Sequence, residues 1–200
     1  VMDQSGRVIP AAQFMPVIEE TDLGRQVDCV TLDLALNLLR KKPNLRLSIN
    51  LSAQSIGDGQ WRRILEKGLA ESGALGDRLI FEISETSVMM LHEIVIRFMA
   101  EMQPRGVAFA LDGFGAGLTA FRPLKDFFFD LVKIDKGFIH GIADDPDNQV
   151  LAEALITVAQ QFEMLVVADG VETPQEAALL GQMGADCMQG YLYGVPRFDL

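Results

Sequence analysis

The sequence predicts an α/β protein built as a (β/α)8 barrel, whose first strands lie upstream of this chain or are missing from it. Two observations lead to this prediction. Short apolar stretches of strand character alternate with longer amphipathic stretches, which indicates βαβ units and a parallel sheet. One strand after another also ends on a polar residue that can bind metal or transfer protons. Such residues on several different strands fit a closed barrel better than the single switch point of an open sheet.

Six segments have the composition of strands that are buried on both faces, because they are apolar nearly throughout. They are LRLSIN ending at Asn50, LIFEIS around Glu82, VAFALD ending at Asp112, DLVKID around Lys133, LVVAD ending at Asp169, and a weaker stretch near CMQGYLY. The first 25 residues have the pattern of a loop and the entry to a helix. A complete barrel has eight strands, so about two more are expected upstream.

The amphipathic stretches between these strands predict helices. They are Cys29–Lys41, Gln60–Glu71, Glu93–Met102, Leu151–Phe162 and Pro174–Met183. The apolar positions of the first helix are Val30, Leu34 and Leu38, which share one face at helical spacing. No linker or charge run divides the chain, so we predict one domain over residues 1–200.

The composition excludes several classes of protein. A net charge of −11 argues against a surface that binds a nucleic-acid polymer, which needs clustered Lys and Arg. No apolar run reaches the roughly 18 residues of a membrane helix, and no signal-peptide pattern is present. We therefore expect a cytoplasmic location, with a membrane tether upstream left open. Cys29 and Cys187 lack CxxC spacing, which argues against a zinc site or a disulfide framework.

The polar residues at the strand ends predict a metal site. Asn50, Glu82 and Asp112 offer only oxygen donors, which suit a hard cation such as Mg²⁺, Mn²⁺ or Ca²⁺ better than zinc. Lys133 on the next strand could orient a metal-bound water or neutralise a phosphate. Two metals about 4 Å apart commonly hydrolyse phosphodiesters and need several bridging carboxylates. In the alternative interpretation each residue is a separate helix cap or turn former, but their recurrence at successive strand ends argues against it.

Seven stretches of the chain, in this order, resemble the EAL-domain cyclic-di-GMP phosphodiesterases. They are GRVIPAAQFMPVIEETDL, SINLSAQSI, FEISET, LDGFGAG, LVKIDKGFI, VVADGVET and MQGYLYGVP, so the resemblance runs from about Arg7 to Pro196. It implies a TIM-like barrel of the EAL type, with its first strand antiparallel to the others. It implies hydrolysis of cyclic-di-GMP to linear pGpG with two metal ions, Mg²⁺ or Mn²⁺. The implied partners are cyclic-di-GMP and, in a longer protein, sensory or cyclase domains.

The resemblance also assigns candidate site residues. The implied metal ligands are Asn50, Glu82 and Asp112. The implied catalytic set is Lys133, Asp169, Glu172 and Glu85. The residues assigned to ligand contact are Gln189, Phe114 and Gly115. Lys133 matches the position that contacts the region of the catalytic water, and Glu85 the position that steadies the loop after the third matching strand.

The sequence departs from the family pattern in three places. Gly113 stands where the family usually has the second of two adjacent aspartates, so a carboxylate for the second metal is missing. Asp169 stands where the family has a glutamate, so that carboxylate is one methylene shorter. The signature segment, with its metal-binding glutamate, is expected just before Val1. The string Glu153-Ala154-Leu155 is not that segment, because it lies inside a helical pattern.

Three functions stay open on these grounds. Gly113 and Asp169 favour a receptor that binds cyclic-di-GMP with absent or weak hydrolysis. The remaining site residues favour an active metal-dependent phosphodiesterase that produces pGpG. The segment FRPLKDFFFDL slightly favours a non-binding scaffold or dimerisation domain.

The phenylalanine-rich segment predicts a helix that is apolar most of the way round. Phe121, Leu124 and Phe128 share one helical stripe, which Phe127 and Phe129 widen. We expect this stripe to be buried in the wall of the barrel rather than in a homodimer interface. Arg122 and Arg197 are the candidates for contacts to the ligand phosphates.

Overall fold

The computed structural model describes residues 5–7, 9–18, 21–117 and 124–196. It divides into two compact units. The first takes in the chain up to Phe81 together with Leu91–Val107, and the second takes in Glu82–Met90 together with the chain from Ala108 onward. The single-domain assignment stays a prediction. None of the helices described is both long enough and apolar enough to cross a membrane.

Helices and strands alternate along the described chain, which confirms the predicted α/β class. In order they are α1 Ala11–Ile18, α2 Asp22–Lys41, β1 Leu47–Asn50, α3 Gly59–Glu71, β2 Leu79–Ser84, α4 Glu85–Met90, α5 His92–Met102, β3 Ala108–Phe114, β4 Leu131–Ile134, α6 Lys136–Ile139, α7 Pro146–Gln161, β5 Leu165–Asp169, α8 Pro174–Met183 and β6 Cys187–Gln189. All six predicted strands are present, including the weak one at CMQ.

An aromatic cluster forms the core of the first unit. Trp61 of α3, Phe81 of β2 and Phe98 of α5 are fully buried, and their ring centroids lie 5.4 to 5.8 Å apart. These separations are typical of favourable edge and tilted aromatic packing. Helix α2 packs close against α3 at Gly68, where an added Cβ would lie only 2.6 Å from the side chain of Leu36. The absence of a side chain at Gly68 therefore sets how closely the two helices approach.

Helix α2 differs from its prediction in extent and in the face that it buries. It begins at Asp22 rather than Cys29, because the Thr21 side chain caps it by accepting from the Leu23 N–H. The predicted stripe lies toward solvent, with Val30 59% and Leu34 64% exposed and Leu38 half-buried. The buried residues of α2 are Gly24, Asp28, Cys29, Leu32, Ala35, Leu36 and Leu39. The helix carries two apolar stripes, and the sequence pattern did not distinguish the core-facing one.

The second unit is built on parallel strands in chain order. β3 pairs with β4, β4 with β5 and β5 with β6, all in parallel. The central residues of β3 and β4 are buried on both faces, as the apolar sequences predicted, whereas β5 is buried only at Val166 and Ala168 and no residue of β6 is buried. Parallel strands direct their carboxyl ends to one edge of the sheet, so side chains at those ends are brought to the same side of the unit.

A β-bulge interrupts β3 at Asp112 and Gly113. Leu111 pairs with Val132 and Phe114 with Ile134, so two residues of β3 stand opposite the single residue Lys133. Gly113 has a φ of +73°, the left-handed region that glycine adopts without strain. The predicted end of this strand at Asp112 was therefore two residues early, because the bulge lets pairing resume at Phe114.

The phenylalanine-rich segment does not form the predicted helix through Phe129. The chain at residues 127–129 is outside any helix, and Phe127 and Phe129 are buried while Phe128 is 75% exposed. Alternation of this kind is typical of extended backbone, which leads directly into β4. Phe121, Arg122 and Arg197 lie outside the described residues.

Candidate functional site

A buried lysine contacts two carboxylates on neighbouring strands of the second unit. The Lys133 Nζ donates to Glu82 Oε2 at 2.8 Å and lies 3.5 Å from Asp112 Oδ1. The Lys133 and Glu82 side chains are 8% and 10% exposed, whereas the Asp112 side chain is 33% exposed. Asp112 belongs to the bulge, which places its carboxylate next to the ammonium. The structure thus brings together three of the candidate residues.

The fourth residue of this cluster is Asp169, the last residue of β5. Lys133 pairs with Val167, and Asp169 lies two residues further on, so both side chains point to the same face of the sheet. The carboxylate of Asp169 acts electrostatically on both Lys133 and Asp112. Asp169 in turn pairs with Gln189, the last residue of β6. Two carboxylates therefore contact one ammonium at the carboxyl ends of these strands, and a third acts on it electrostatically.

This charge imbalance shifts the ionisation of the cluster. Burial raises the pKa of Asp112 above its usual value, and the neighbouring Glu82 and Asp169 carboxylates act in the same direction while Lys133 opposes them. Burial acts to lower the pKa of Lys133, but the surrounding carboxylates outweigh it and hold that pKa above its usual value. The surrounding carboxylates therefore favour the charged form of Lys133, and the cluster has more carboxylates than ammonium groups.

Glu85, at the start of α4, contacts the glycine-rich loop that follows β3. Its buried carboxylate accepts from the Gly115 N–H at 3.3 Å, and it lies 3.8 Å from the position that a Cβ on Gly117 would take. Gly115 has a φ of +95°, and a Cβ there would lie 2.8 Å from both Leu155 and Phe138. A larger residue does not fit at Gly115. The loop is consequently held by a hydrogen bond from its backbone to Glu85 and by the close packing of Leu155 and Phe138 against Gly115.

Glu172 lies in the loop after β5, beside a histidine from the loop after β4. The His140 Nδ1 is 3.5 Å from Glu172 Oε2, and both side chains are substantially exposed, at 66% and 43%. The predicted catalytic carboxylate of Glu172 is thus close to an imidazole that the sequence pattern had not assigned to the site. Glu172 contributes to the exposed rim rather than to the buried cluster.

Glu176 joins the loop after β4 to the loop after β5. This residue was not identified from the sequence. It is 2% exposed; its Oε1 accepts from the Gly141 N–H at 2.7 Å, and its Oε2 accepts from the N–H groups of Glu172 and Thr173 at 2.8 and 2.9 Å. Burial acts to raise the pKa of Glu176, but these backbone donors outweigh it and hold the pKa below its usual value. The motif Thr173-Pro-Gln-Glu176 is a capping box, and this signal was available in the sequence.

We expect Glu176→Gln to lower the free energy of unfolding by about 2 kcal/mol, because an amide cannot accept from three N–H groups as a carboxylate does. The loss should be pH-dependent. A depressed folded pKa stabilises the protein above the pKa of the unfolded glutamate, and the benefit disappears as pH falls through the folded value. Urea denaturation of both proteins should therefore give a difference at pH 7 that shrinks below about pH 4. Glu153→Gln, at an exposed position of α7, is the matched control and should change little at either pH. An equal effect of both substitutions would contradict the assigned role of Glu176.

Asn50 is not part of the second unit. It is the exposed last residue of β1 in the first unit, as predicted from the sequence. Its part in binding metal stays a prediction. Phe114 is fully buried within β3 and Gln189 is exposed at the end of β6, so of these two only Gln189 is accessible to a ligand.

The donor chemistry of the cluster fits a hard divalent cation. Glu82, Asp112 and Asp169 supply only carboxylate oxygens, and a cation would relieve the excess negative charge that raises the pKa of Asp112. Within residues 5–7, 9–18, 21–117 and 124–196, however, no three His, Cys, Asp or Glu side chains are grouped closely enough to hold an ion. Glu82 and Asp112, whose oxygens lie 2.8 and 3.5 Å from the Lys133 ammonium, are the pair that we would expect to hold one cation. Gly113 supplies no further carboxylate for a second.

Comparison with known proteins matches this chain to one family and to several of its members. The EAL domain family matches residues 1–196. The chain is 28% identical over 198 residues to MucR of Pseudomonas aeruginosa, a bifunctional diguanylate cyclase/cyclic di-GMP phosphodiesterase, covering 96% of this chain but 29% of MucR. The chain thus spans less than a third of that relative's length.

Two solved structures share the fold. The PaMucR phosphodiesterase, in its c-di-GMP complex, is 27% identical and superposes with a TM-score of 0.87 over 97% of this chain and 81% of that one. Klebsiella pneumoniae BlrP1, in a manganese/cy-diGMP complex, is 25% identical with a TM-score of 0.79 over 96% of this chain and 49% of that one. The chain therefore belongs to the EAL domain family and has its TIM-like fold.

Proposed function

We propose that this domain binds cyclic-di-GMP at the carboxyl ends of the strands of its second unit, and that its hydrolysis of that ligand is absent or weak. The observation that carries the proposal is the Asp112–Gly113 bulge, which lies next to the buried Glu82–Lys133 ion pair. One carboxylate and one glycine stand where two carboxylates would be needed to hold a second cation.

Binding is supported by the relatives and by the accessible groups. The PaMucR and BlrP1 structures are complexes with this cyclic dinucleotide. In this chain, Asp112, Glu172 and Gln189 are at least partly exposed near strand ends, so they are available to a ligand or to a cation that the ligand brings. Asp169 keeps its carboxylate at the end of β5, with a reach one methylene shorter than that of glutamate.

The electrostatics predict that binding depends on a divalent cation. Cyclic-di-GMP carries two phosphates, and the cluster already has more carboxylates than ammonium groups. A dianion would be repelled unless a cation such as Mg²⁺ or Mn²⁺ is held by Glu82 and Asp112. When bound, such an ion would polarise a phosphoryl oxygen and lower the pKa of water. The role of Lys133 is to hold both carboxylates in place and to keep one positive charge facing the phosphate.

We expect weak hydrolysis because the cluster has too few carboxylates to hold two metal ions. A two-metal mechanism requires bridging carboxylates that stabilise both the attacking and the leaving oxygen. The bulge has one carboxylate, and the carboxylate of Asp169 is one methylene shorter than that of the glutamate expected there. A displacement near 1 Å at a reacting centre can lower a rate about a hundredfold. Binding of the ligand therefore needs fewer metal-binding carboxylates than its hydrolysis does.

The second candidate is an active cyclic-di-GMP phosphodiesterase that produces pGpG. It is favoured by the intact contacts of Lys133 with Glu82 and Asp112. A scaffold that binds no nucleotide is the third, although Leu124, Phe127 and Phe129 of the phenylalanine-rich segment that favoured it are buried in the second unit. We also propose that, in a longer protein, this domain works together with sensory or cyclase domains.

Calorimetric titration of cyclic-di-GMP tests the binding half of the proposal. We expect saturable binding in Mg²⁺, with an affinity at least tenfold lower in EDTA, because the uncompensated carboxylates then face the phosphates. Asp112→Asn should weaken binding in Mg²⁺ by about tenfold or more, the effect typical of removing a group that supports a metal. Asp144→Asn, at an exposed position away from the cluster, is the matched control and should bind like the unaltered protein. Absence of binding in both buffers would overturn the proposal in favour of the scaffold.

A further inference from the structure

The connection between α2 and β1 is basic in a chain that is otherwise strongly acidic. The stretch from Leu34 to Gly57 has no Asp or Glu over 24 residues, although 28 of the 200 residues of the chain are acidic. The cations of this stretch are Arg40, Lys41, Lys42 and Arg46. We call the segment Lys41–Arg46 the basic tip. Like charges gathered in this way create a local positive potential on a protein of net charge −11.

The charges of the basic tip are exposed and are not compensated within the chain. Lys41, Lys42 and Arg46 are all exposed. Arg40, just before the tip, donates to Glu71 Oε2 at 2.6 Å, so its charge is balanced. In the part of the chain that the structure describes, the three cations of the tip form no such ion pair. They are therefore available to an anionic partner.

Arg78, the residue before β2, holds the backbone of the basic tip in place. Its Nη1 donates to the carbonyl oxygens of Leu39, Lys42 and Leu45 at 2.9, 3.0 and 3.3 Å. The Lys42 N–H in turn donates to the Leu38 carbonyl oxygen at 2.9 Å, at the end of α2. Carbonyl groups that the end of a helix leaves unpaired are thereby satisfied. Because the backbone is already ordered, binding through the tip does not require this loop to be ordered first.

The chemistry of the basic tip favours a broad anionic surface over a single anionic group. Two of its three cations are lysines, which are compact and strongly hydrated point charges, whereas the arginine fork suits bidentate recognition of one carboxylate or phosphate. The neighbouring arginines, Arg40 and Arg78, already bond to Glu71 and to backbone carbonyls. Four consecutive exposed residues, Lys41–Asn44, form the turn of the tip, a shape that meets a flat partner better than it lines a groove. A bilayer of anionic lipids is such a partner.

We infer that the basic tip binds the headgroups of an anionic lipid bilayer through Lys41, Lys42 and Arg46. The net charge of −11 does not prevent this contact, because charges more than about 10 Å from the bilayer are largely screened at 0.1 M salt. The tip precedes β1 and Asn50 ends it, so binding would leave the carboxyl end of β1 directed away from the lipid. The inference does not depend on cyclic-di-GMP, because it uses only residues of the first unit.

A fluorescent label tests which face of the chain meets the lipid. On a Cys187→Ser background, a nitrobenzoxadiazole label on Asn44→Cys should shift its emission to the blue when vesicles containing phosphatidylglycerol are added, because the label then leaves water for the headgroup region. The same label on Glu153→Cys, at an exposed position of α7 in the second unit, should not shift. Cys29 is 6% exposed and should remain unlabelled. A shift at position 153 without one at position 44 would overturn the assignment of the tip.

Flotation with lipid vesicles tests the binding itself. The unaltered chain should bind vesicles of about 40% phosphatidylglycerol in phosphatidylcholine at about 0.05 M salt, but not at about 0.5 M salt and not vesicles of phosphatidylcholine alone. Lys41→Ala/Lys42→Ala should lower the affinity about 25-fold, or about fivefold for each cation. Lys125→Ala/Lys136→Ala is the matched control, because it removes the same charge from exposed positions of the second unit, and it should bind like the unaltered chain. Circular dichroism checks that both variants fold.

Three results would overturn the inference. The first is absence of binding to the anionic vesicles at low salt, and the second is an equal loss of affinity in the two double variants. The third is binding of soluble polyglutamate that Lys41→Ala/Lys42→Ala weakens, without binding to vesicles, which would assign the tip to an acidic polypeptide instead of a bilayer.

Discussion

Gly113→Asp is expected to raise the rate of cyclic-di-GMP hydrolysis by about a hundredfold or more, in a form of the protein that also carries the family's signature segment. The substitution restores a second carboxylate in the β3 bulge, and loss of one group that stabilises developing charge typically costs 10² to 10³ in rate, or about 3–4 kcal/mol. No atom of the described residues, apart from the chain neighbours, lies within 4 Å of the position that its Cβ would take. Release of pGpG, followed by chromatography, measures the effect.

The substitution should be tolerated by the fold. Gly113 has a φ of +73°, where aspartate is among the few non-glycine residues that occur with any frequency. We expect a loss of about 1 kcal/mol in the free energy of unfolding. Gly6→Asp is the control, because Gly6 also has a left-handed φ of +81° and open surroundings but belongs to the first unit. A folded Gly113→Asp protein that binds cyclic-di-GMP without faster hydrolysis would contradict the assignment of Gly113 as the disabling residue.

Lys133→Met should destabilise the protein by about 3 kcal/mol, because it leaves the buried Glu82 carboxylate and the adjacent Asp112 without their counter-ion. For a domain of this size that corresponds to a fall of roughly 6–12 °C in Tm. Added Mg²⁺ should recover part of the loss if the carboxylates can hold a cation, since a ligand that binds only the folded state stabilises it. Thermal unfolding with and without Mg²⁺ measures both effects.

The same variant has a characteristic pH dependence. The pKa of Asp112 is raised in the folded protein, so protonation of that group favours folding as pH falls toward its folded pKa. Without Lys133 this effect should be larger, and Lys133→Met should therefore recover stability as the pH falls from 7 toward the folded pKa of Asp112. Lys125→Met, at an exposed position, is the matched control and should change the free energy of unfolding by no more than about 0.5 kcal/mol. Equal stability of the two variants at pH 7 would show that the Lys133 contacts contribute nothing.

Much of the architecture could be predicted from the chain because burial on both faces leaves a strong signal. The strands around Glu82, Lys133 and Asp169 are continuous apolar runs, and the carboxyl ends of parallel strands gather whatever polar residues end them. The cluster of Glu82, Asp112, Lys133 and Asp169 follows from that geometry. Periodicity worked less well where two faces of a helix are both apolar, as in α2, since spacing alone does not say which face meets the core.

Features that depend on pairing between distant segments could not be predicted. The bulge at Asp112 and Gly113 is defined only by which residues of β4 stand opposite, and a glycine after an aspartate is equally typical of a turn. The Phe127–Phe129 segment was misassigned because three consecutive aromatics satisfy both helical and extended patterns. Glu176 had a local signal in its capping box, but its bond to the Gly141 N–H joins residues 35 apart. The sequence therefore predicted that Glu82, Asp112 and Lys133 lie together, whereas the contacts that hold the surrounding loops required the structure.

The central claim is that this domain retains the ligand while lacking an efficient hydrolytic set, and a single-turnover experiment tests it most directly. The protein, in excess over cyclic-di-GMP and with Mg²⁺ or Mn²⁺ present, would be sampled over hours for bound ligand and for pGpG. We predict that the ligand is bound and recovered intact, with any conversion at least a millionfold slower than the 10 s⁻¹ that is roughly typical of enzymes. Complete conversion to pGpG within seconds would contradict the account and identify the domain as an active phosphodiesterase.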